Sequence, residues 1–504
     1  MCISSVYIFN QLRGTMNRSP YYLGFSTLDR ETSIQDLPVH GALPSWLGGT
    51  LLRTAPAKFE VGDRSYNHWF DGLAMLHAFT FSGGRVSYAN RYLHSQSYRE
   101  AMKKGKISRG EFATNSRRTL FERVADFFDP KLTDNCNVSV NKLADKVVAF
   151  TETRLPIQFD PETLETLGIY DYNHGPGDRL PGQISIAHPH FDFERGCHYS
   201  YVLDFGKQST YRLFSIEADT GRQAVLANIP VKRPAYMHSF GMTEHYLVLT
   251  EFPLVVNPLK LLLGSKPFIC NYKWEPVRGV RFHIVDKKTG RVVKEARNDA
   301  FFAFHHVNAF EKDDAIVVDI VAYPDPTIID QLYLRHLRSA EPVTAAGKLT
   351  RFSVDLNGRS EVREQLLLKT HLELPRINYR HRAGQPYRFL FCAGNEANDG
   401  NADFLDNLVK IDLDADAVRT WYAAGCFPGE PVFVAAPDAR QEDDGLILSV
   451  VLDVQKGRSF LLVLDASTWE ERARAEVPHH IPFGFHGNFF AALKGPESFR
   501  NLHR

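Results

Sequence analysis

Short runs of β-branched and other apolar residues recur along the chain, each closed off by glycine, proline, asparagine or aspartate. Residues 49–53 (Gly-Thr-Leu-Leu-Arg), 147–151 (Val-Val-Ala-Phe-Thr), 246–250 (Tyr-Leu-Val-Leu-Thr), 315–320 (Ala-Ile-Val-Val-Asp-Ile) and 446–452 (Leu-Ile-Leu-Ser-Val-Val-Leu) are clear cases. Runs of this kind between turn residues predict β-strands. Turn signals separate them, as in Asp-Thr-Gly at 219–221 and Asp-Lys-Lys-Thr-Gly at 286–290. The rhythm persists from about residue 48 to the end. No glycine-rich phosphate loop follows a strand, which argues against a βαβ fold. The class is therefore all-β, and either stacked sandwiches or a propeller accommodates so many short strands. No literal repeat of the WD40 or kelch kind is present.

Helical patterns interrupt this rhythm. Residues 98–106 form one. Residues 119–128 form a second, with Leu120, Phe121, Val124, Phe127 and Phe128 at helical spacing. A third apolar stretch covers residues 252–268, from Phe252 to Phe268, with Lys260 and Lys266 placed to snorkel. It reads either as a helix packed on the β body or as a patch that docks on a membrane surface.

Composition narrows the picture. The 504 residues are 44% hydrophobic, ample for a large core. Length alone suggests about three domains, but all-β units often run long, and the expectation is one β-propeller unit over residues 21–504. Residues 1–20 are expected to be disordered or to precede a true start at Met16. The 59 basic and 59 acidic residues cancel. With no basic excess to neutralise phosphates, nucleic acid is excluded as the main partner. Aromatics at 12%, with 36 Phe, suit an apolar pocket or tunnel. Six scattered cysteines without a CxxC pair read as reduced thiols of a cytoplasmic protein. No apolar run is long enough to span a bilayer.

Four histidines stand in similar apolar or aromatic settings: His188 in Ala-His-Pro-His, at the end of an alternating run at 183–187 that reads as a strand stopped by Pro189, His238 in Tyr-Met-His-Ser-Phe, His305 in Phe-Ala-Phe-His-His-Val-Asn and His486 in Phe-Gly-Phe-His-Gly-Asn. Unpaired imidazoles are costly to bury. One metal ion satisfies all four, and imidazole ligation suits zinc, copper, iron or nickel. Such a site exists only in the folded state, because intervals of 50, 67 and 181 residues separate the four. Blades of about 60–70 residues would number about seven and converge on one axis, which favours the propeller. His190 and His306 adjoin His188 and His305; alternation along a strand turns His306 to the opposite face, and Pro189 breaks the geometry beside His190. Glu152, Glu373 and Glu430 lie in apolar or proline-bounded settings. They are candidate acceptors for the second imidazole nitrogens.

Several ordered motifs resemble the carotenoid cleavage oxygenases. They are Asn-His-Trp-Phe-Asp-Gly-Leu-Ala-Met-Leu-His at 67–77, preceded by Gly-Thr-Leu-Leu-Arg-Thr-Ala-Pro at 49–56, then the four histidine stretches, Leu-Glu-Leu-Pro-Arg-Ile-Asn-Tyr at 372–379 and Glu-Pro-Val-Phe-Val at 430–434 with Glu-Asp-Asp-Gly at 442–445. The likeness runs from about residue 30 to 490, and the wording is closest to the animal-type branch of β-carotene oxygenases and retinoid isomerohydrolase. It implies a seven-bladed β-propeller with a helical and loop dome over an Fe(II) centre. It places His188, His238, His305 and His486 on the iron ligands, and Glu152, Glu373 and Glu430 behind three of them. His68 and His77 fall in the signature but off the ligand positions, and Asp71-Gly72 reads as a turn. No cysteine stands at residues 112–118, where the palmitoylated segment of the isomerohydrolase would lie, so oxidative cleavage is expected. The implied activity is that of a non-haem Fe(II) dioxygenase, which uses O2 to cleave a C=C bond of a carotenoid or apocarotenoid into two aldehydes. Retinal-forming central cleavage is the leading form. A lignostilbene-type alkene dioxygenase and a non-catalytic carotenoid or retinoid carrier are the alternatives. Peripheral membrane docking through residues 252–268 and 120–128 is expected with a lipid substrate.

Overall fold

The computed structural model describes residues 18–116, 132–172, 180–206, 208–263, 266–358, 361–395 and 403–493. Of the start expected to be disordered, residues 1–20, positions 1–17 lie outside these residues, as does the patterned helix at 119–128; Ser19 is described and buried, its hydroxyl donating to the Leu337 carbonyl.

The chain forms a seven-bladed β-propeller, whose blades are antiparallel sheets of four to six strands. In chain order, the blades carry the strands Gly49–Lys58, Ser139–Leu143, Cys197–Asp204, Tyr246–Glu251, Phe302–Lys312, His371–Arg376 and Gly445–Asp453. They are called blades 1 to 7 below. Four of the five apolar runs read from the sequence fall within a strand, and the fifth, 147–151, overruns the strand Lys146–Phe150 by one residue. The middle strands explain why those runs were so continuous. In Ala315–Tyr323 all nine residues but Ala322 are buried, because each sheet is covered on both faces by its neighbours. Leu247, Val248, Leu249, Phe282, Ile284, Ile316, Val318 and Ile320 are almost wholly inaccessible and belong to one cluster that spans blades. At about 0.8 kcal/mol per buried CH2, this cluster is the main glue between sheets. The outermost strands, such as Val362–Leu368 and Ala417–Tyr422, are largely exposed and mixed in polarity.

Two exchanges close the ring. Gly487–Phe490 pairs with Gly49–Lys58 in blade 1, with Arg53 opposite Gly487 and Thr50 opposite Phe490. Val39–Gly41 pairs with Glu471–Glu476 on the outside of blade 7. Segments distant in sequence therefore lock the first and last blades, and no long sheet edge is left between them.

Both turn signals join neighbouring strands of one blade. At 286–290, Asp286 Oδ1 accepts hydrogen bonds from the Thr289 N–H and hydroxyl. Gly290 has φ +67°, and a Cβ there would stand 2.0 Å from the Leu226 carbonyl oxygen, so only glycine fits.

Segments between strands fold over one end of the propeller. The expected first helix runs Gln96–Lys104. Ser95 Oγ accepts the Tyr98 N–H at its start, and Gly105, with φ +58°, ends it. The stretch 252–268 departs from the expectation. Leu254–Val256 is a strand, and Phe252, Leu254, Val255 and Val256 are buried core. Helix is confined to Pro258–Leu263, where Leu259 is 65% exposed. Pro253 and Asn257-Pro258 divide the apolar run into two elements, one for the core and one for the surface. Among the described residues no helix is long and apolar enough to cross a membrane.

Candidate metal centre

Blades 3, 4, 5 and 1 each bring one histidine to the axis, and each reaches it through broken strand geometry. The strand expected to carry His188 stops at Ser185. The residues at 186–189 stand opposite only two, Ser200 and Tyr201, before pairing resumes at His190. This bulge, with Pro189 unable to donate to the ladder, sets His188 off the strand. His238 lies three residues before the short strand Gly241–Met242, and His486 directly precedes Gly487–Phe490. His305 lies in Phe302–Lys312, where the register slips between Ala303 and His306. Ser239 secures the loop of blade 4 to blade 5. Its hydroxyl donates to the Phe304 carbonyl at 2.6 Å and accepts the His306 N–H at 2.9 Å.

One imidazole nitrogen from each of His188, His238, His305 and His486 falls within a single group, all four atoms within 4.8 Å of one another. The Nε2 atoms of His188 and His238 are 2.9 Å apart, and those of His305 and His486 are 3.1 Å apart. Behind three of the rings stand the three expected carboxylates. Glu152 accepts the His238 Nδ1–H at 2.6 Å, Glu373 that of His305 at 2.5 Å, and Glu430 that of His486 at 2.7 Å. The three glutamates come from blades 2, 6 and 7, the blades that bring no histidine, so every blade gives the axis one functional side chain. Each carboxylate is itself held. Glu152 also accepts from the Tyr236 hydroxyl, Glu373 from the Tyr323 hydroxyl and the Leu374 N–H, and Glu430 from the Gly487 N–H.

This arrangement dictates the tautomers. With Nδ1–H donated to a carboxylate, Nε2 of His238, His305 and His486 carries a lone pair aimed inward. Two such lone pairs 3.1 Å apart on His305 and His486 repel unless a cation lies between them. At metal–nitrogen distances of about 2.1 Å, ligands at right angles are about 3 Å apart. The donor set therefore fits a metal ion. Burial first, then the positive ends of the neighbouring imidazoles, hold His188 and His486 well below the ordinary histidine pKa, which keeps them neutral ligands. Burial raises the Glu373 carboxyl, but the facing His305 and the Leu374 and Tyr323 hydrogen bonds outweigh it and keep it ionised.

Residues 25–491 match the family model described as retinal pigment epithelial membrane protein, RPE65. The chain belongs to this family. Among RPE65-family relatives, it is 33% identical over 546 residues to a mitochondrial carotenoid-cleaving dioxygenase of Macaca fascicularis, covering 96% of each chain. It is 32% identical to a β,β-carotene 15,15'-dioxygenase of Gallus gallus, covering 90% of this chain and 94% of that one. A variant of the Synechocystis apocarotenoid oxygenase superposes with a TM-score of 0.83 at 27% identity, covering 94% of this chain and 99% of the other. The cobalt-substituted form of that oxygenase gives 0.82 at 29% identity, covering 93% and 98%.

In this member of the RPE65 family, two cavities flank the histidines. One, of about 350 Å³, lies under the covering segments and meets His238, His305 and His486. Trp69, Phe70, Phe112, Phe304, Phe404 and Phe485 are among the residues of its apolar wall. Phe70 packs on Phe112, Phe304 and Phe485 at centroid distances of 5.1–5.8 Å. The other, of about 140 Å³, meets His188, His305 and His486 from the opposite side, among Asn141, Arg376, Tyr379 and Asn488.

The remaining histidines named from the sequence are occupied elsewhere. His190 bonds the Tyr379 hydroxyl and the Phe240 carbonyl. His306 bonds the hydroxyls of Ser239 and Thr250. His77 bonds the Tyr88 hydroxyl, and His68 lies between the Ile329 carbonyl and the Phe70 N–H. Asp71 does more than turn the chain. Its buried carboxylate accepts from the His68 and Ala113 N–H groups and the Thr114 hydroxyl, tying the signature loop to the segment that bears Phe112. The hydroxyls of Tyr236 and Tyr323 were not legible as carboxylate partners. The left-handed Leu374 was also missed; its φ of +54° turns its N–H back on Glu373.

Burial pushes His68 down to about 3 and His198 to about 4. Both are neutral when folded but charge near 6.5 when unfolded. Their contribution is intact above pH 6.5 and is lost as pH falls from there toward 4. The cost reaches about 2 kcal/mol for each by pH 5. The urea midpoint should fall markedly between pH 7 and pH 5; an unchanged midpoint contradicts this.

Proposed function

We propose that the protein is a carotenoid or apocarotenoid cleavage dioxygenase, with Fe(II) held by His188, His238, His305 and His486. The observation that carries this reading is the four-imidazole group, backed by three carboxylates and opening onto an aromatic cavity. Four neutral ligands leave the charge of a divalent ion uncompensated, and Glu152, Glu373 and Glu430 offset it from behind. The chemistry that a bound Fe(II) supplies is activation of O2 toward an alkene.

The chain's own residues do the rest. The propeller holds the Nε2 atoms of His238, His305 and His486 rigidly, because each of these three rings is pinned at Nδ1 by a strand-borne or loop-borne carboxylate. The cavity takes an extended polyene against the face formed by His238, His305 and His486. Phe70, Phe112, Phe304 and Phe485 exclude water there and offer π-faces to positive charge developing along the chain. Cleavage of one C=C bond with both oxygen atoms retained gives two aldehydes, and no organic cofactor or external reductant is required. Retinal-forming central cleavage of β-carotene or an apocarotenal is the leading form.

The test is incubation of the purified protein with a panel of carotenoids and apocarotenals in ¹⁸O₂, followed by chromatography of the aldehydes. Loss of visible absorption in air but not under nitrogen, with one label in each fragment, is expected. An unchanged chromophore in air contradicts it and would favour a carrier.

Delivery of so apolar a substrate suits docking on a membrane surface of the cytoplasmic kind. Leu259 is exposed, while Leu261, Lys266 and Phe268 of the same stretch line the cavity, so the surface part of 252–268 adjoins the substrate space. Leu259→Glu with Leu261→Glu should weaken sedimentation with liposomes severalfold; unchanged sedimentation rejects this route.

A further inference from the structure

Glu152 is held by the Tyr236 hydroxyl and Glu373 by the Tyr323 hydroxyl and the Leu374 N–H, all neutral donors. Glu430 meets a cation. Its Oε1, which accepts the His486 Nδ1–H at 2.7 Å, also lies 3.5 Å from Arg376 Nη1. One carboxylate oxygen thus serves both an imidazole of the four-nitrogen group and a guanidinium. Backbone geometry delivers Arg376 there. It ends the strand His371–Arg376 of blade 6, which also carries Glu373. Three residues apart on a regular strand, the two would face opposite ways. The register slips between them, with Glu373 opposite Ala393 and Arg376 opposite Phe391. The extra residue of this bulge brings Arg376 to the face that carries Glu373. The rest of the guanidinium holds the strand that follows His486: Nη2 donates to the Gly487 carbonyl at 3.2 Å and to Asn488 Oδ1 at 2.8 Å. On the other side of His486, Arg53 Nη2 donates to the Phe485 carbonyl at 3.3 Å, and the charge of Glu430 offsets the burial of this second guanidinium.

We propose that Arg376 is a positioning residue that sets the charge of the metal centre: by sharing Glu430 Oε1 with His486, it limits the negative charge passed through that ring and favours the divalent over the trivalent state of bound iron. The inference rests on the four-imidazole iron reading above and adds control of its oxidation state. A carboxylate behind a ligating imidazole raises the basicity of the ring, and a more basic ligand set stabilises the higher charge on the metal. Three carboxylates outweigh one divalent ion by a single negative charge, an excess that pulls the balance toward the trivalent ion. Arg376 draws on the same oxygen as His486 and cancels that excess at the carboxylate it touches. A guanidinium suits the task because it stays charged at any working pH. The divalent ion is the form from which the proposed O2 chemistry starts, so a cation at this point keeps the centre ready for substrate.

The experiment is a mediated redox titration of the iron-loaded wild-type protein, Arg376→Gln and Arg376→Lys, with the trivalent ion followed by electron paramagnetic resonance. Loss of the guanidinium charge in R376Q should raise the Fe(III)/Fe(II) ratio at a fixed potential about tenfold. For a one-electron couple that is a downward shift of about 59 mV in the midpoint. R376K keeps the charge and should stay within about threefold of wild type. The Arg376 side chain is 24% exposed and lines the smaller cavity, so a shorter neutral chain is accommodated; Arg376→Met repeats the test where R376Q is unstable. A side chain that only packs would lose stability in R376Q and R376K alike and leave the midpoint unmoved. A wild-type midpoint in the folded neutral variants, or an equal shift in R376K, overturns the proposal. A shifted midpoint in a protein that forms no aldehydes supports Arg376 and sinks the cleavage reading. Wild-type protein that takes up no iron overturns both.

Discussion

Replacing His305 with alanine is expected to abolish cleavage and to strip the metal from the purified protein. His305 Nε2 is 3.1 Å from its counterpart on His486, and its Nδ1–H is the contact through which Glu373 acts on the centre. Alanine removes a ligand and leaves the buried Glu373 carboxylate with only Tyr323 and Leu374 as donors. The loss should exceed the roughly 100-fold typical of removing a partner behind a ligand. His306→Ala is the matched control. That ring bonds Ser239 and Thr250 and stands outside the four-nitrogen group. It should retain metal while losing about 1–3 kcal/mol of stability. If the two variants keep equal metal and equal activity, the assignment of His305 fails.

Glu373→Gln should cost about 10–100-fold in metal affinity or in kcat/KM without unfolding the protein. The amide keeps the shape but removes the negative charge. Its carbonyl can serve only part of a donor set that comprises the His305 ring, the Tyr323 hydroxyl and the Leu374 N–H. The position is buried, so water cannot replace what is lost. Glu430→Gln should behave alike, since Glu430 is fully buried and holds both His486 and the Gly487 N–H. The expected signature is weaker metal retention on dialysis against a chelator, with circular dichroism unchanged. Wild-type retention in both variants would reduce these carboxylates to packing groups.

The histidines and glutamates were legible because burial is costly for them. His188, His238, His305 and His486 each sit among apolar residues, where only a shared partner makes four imidazoles affordable. The middle strands were equally plain, because a sheet packed on both faces calls for a near-continuous apolar run, as in residues 315–320, where only Asp319 interrupts it. What the sequence concealed depends on pairing across distance. His188 was read as the end of a strand, but the bulge at 186–189 exists only against Ser200 and Tyr201 in the neighbouring strand. Tyr323 meets Glu373 from 50 residues away, and nothing local to either residue announces the contact. The stretch 252–268 misled because its apolar composition is continuous while its structure is not; Pro253 and Pro258 were the available signals of that division.

The account stands on the binding of one transition metal by four imidazoles. Elemental analysis of the purified, active protein should find about one iron per chain, with activity rising in proportion to iron across partly loaded preparations. Active protein free of any transition metal, or activity independent of iron content, would contradict it.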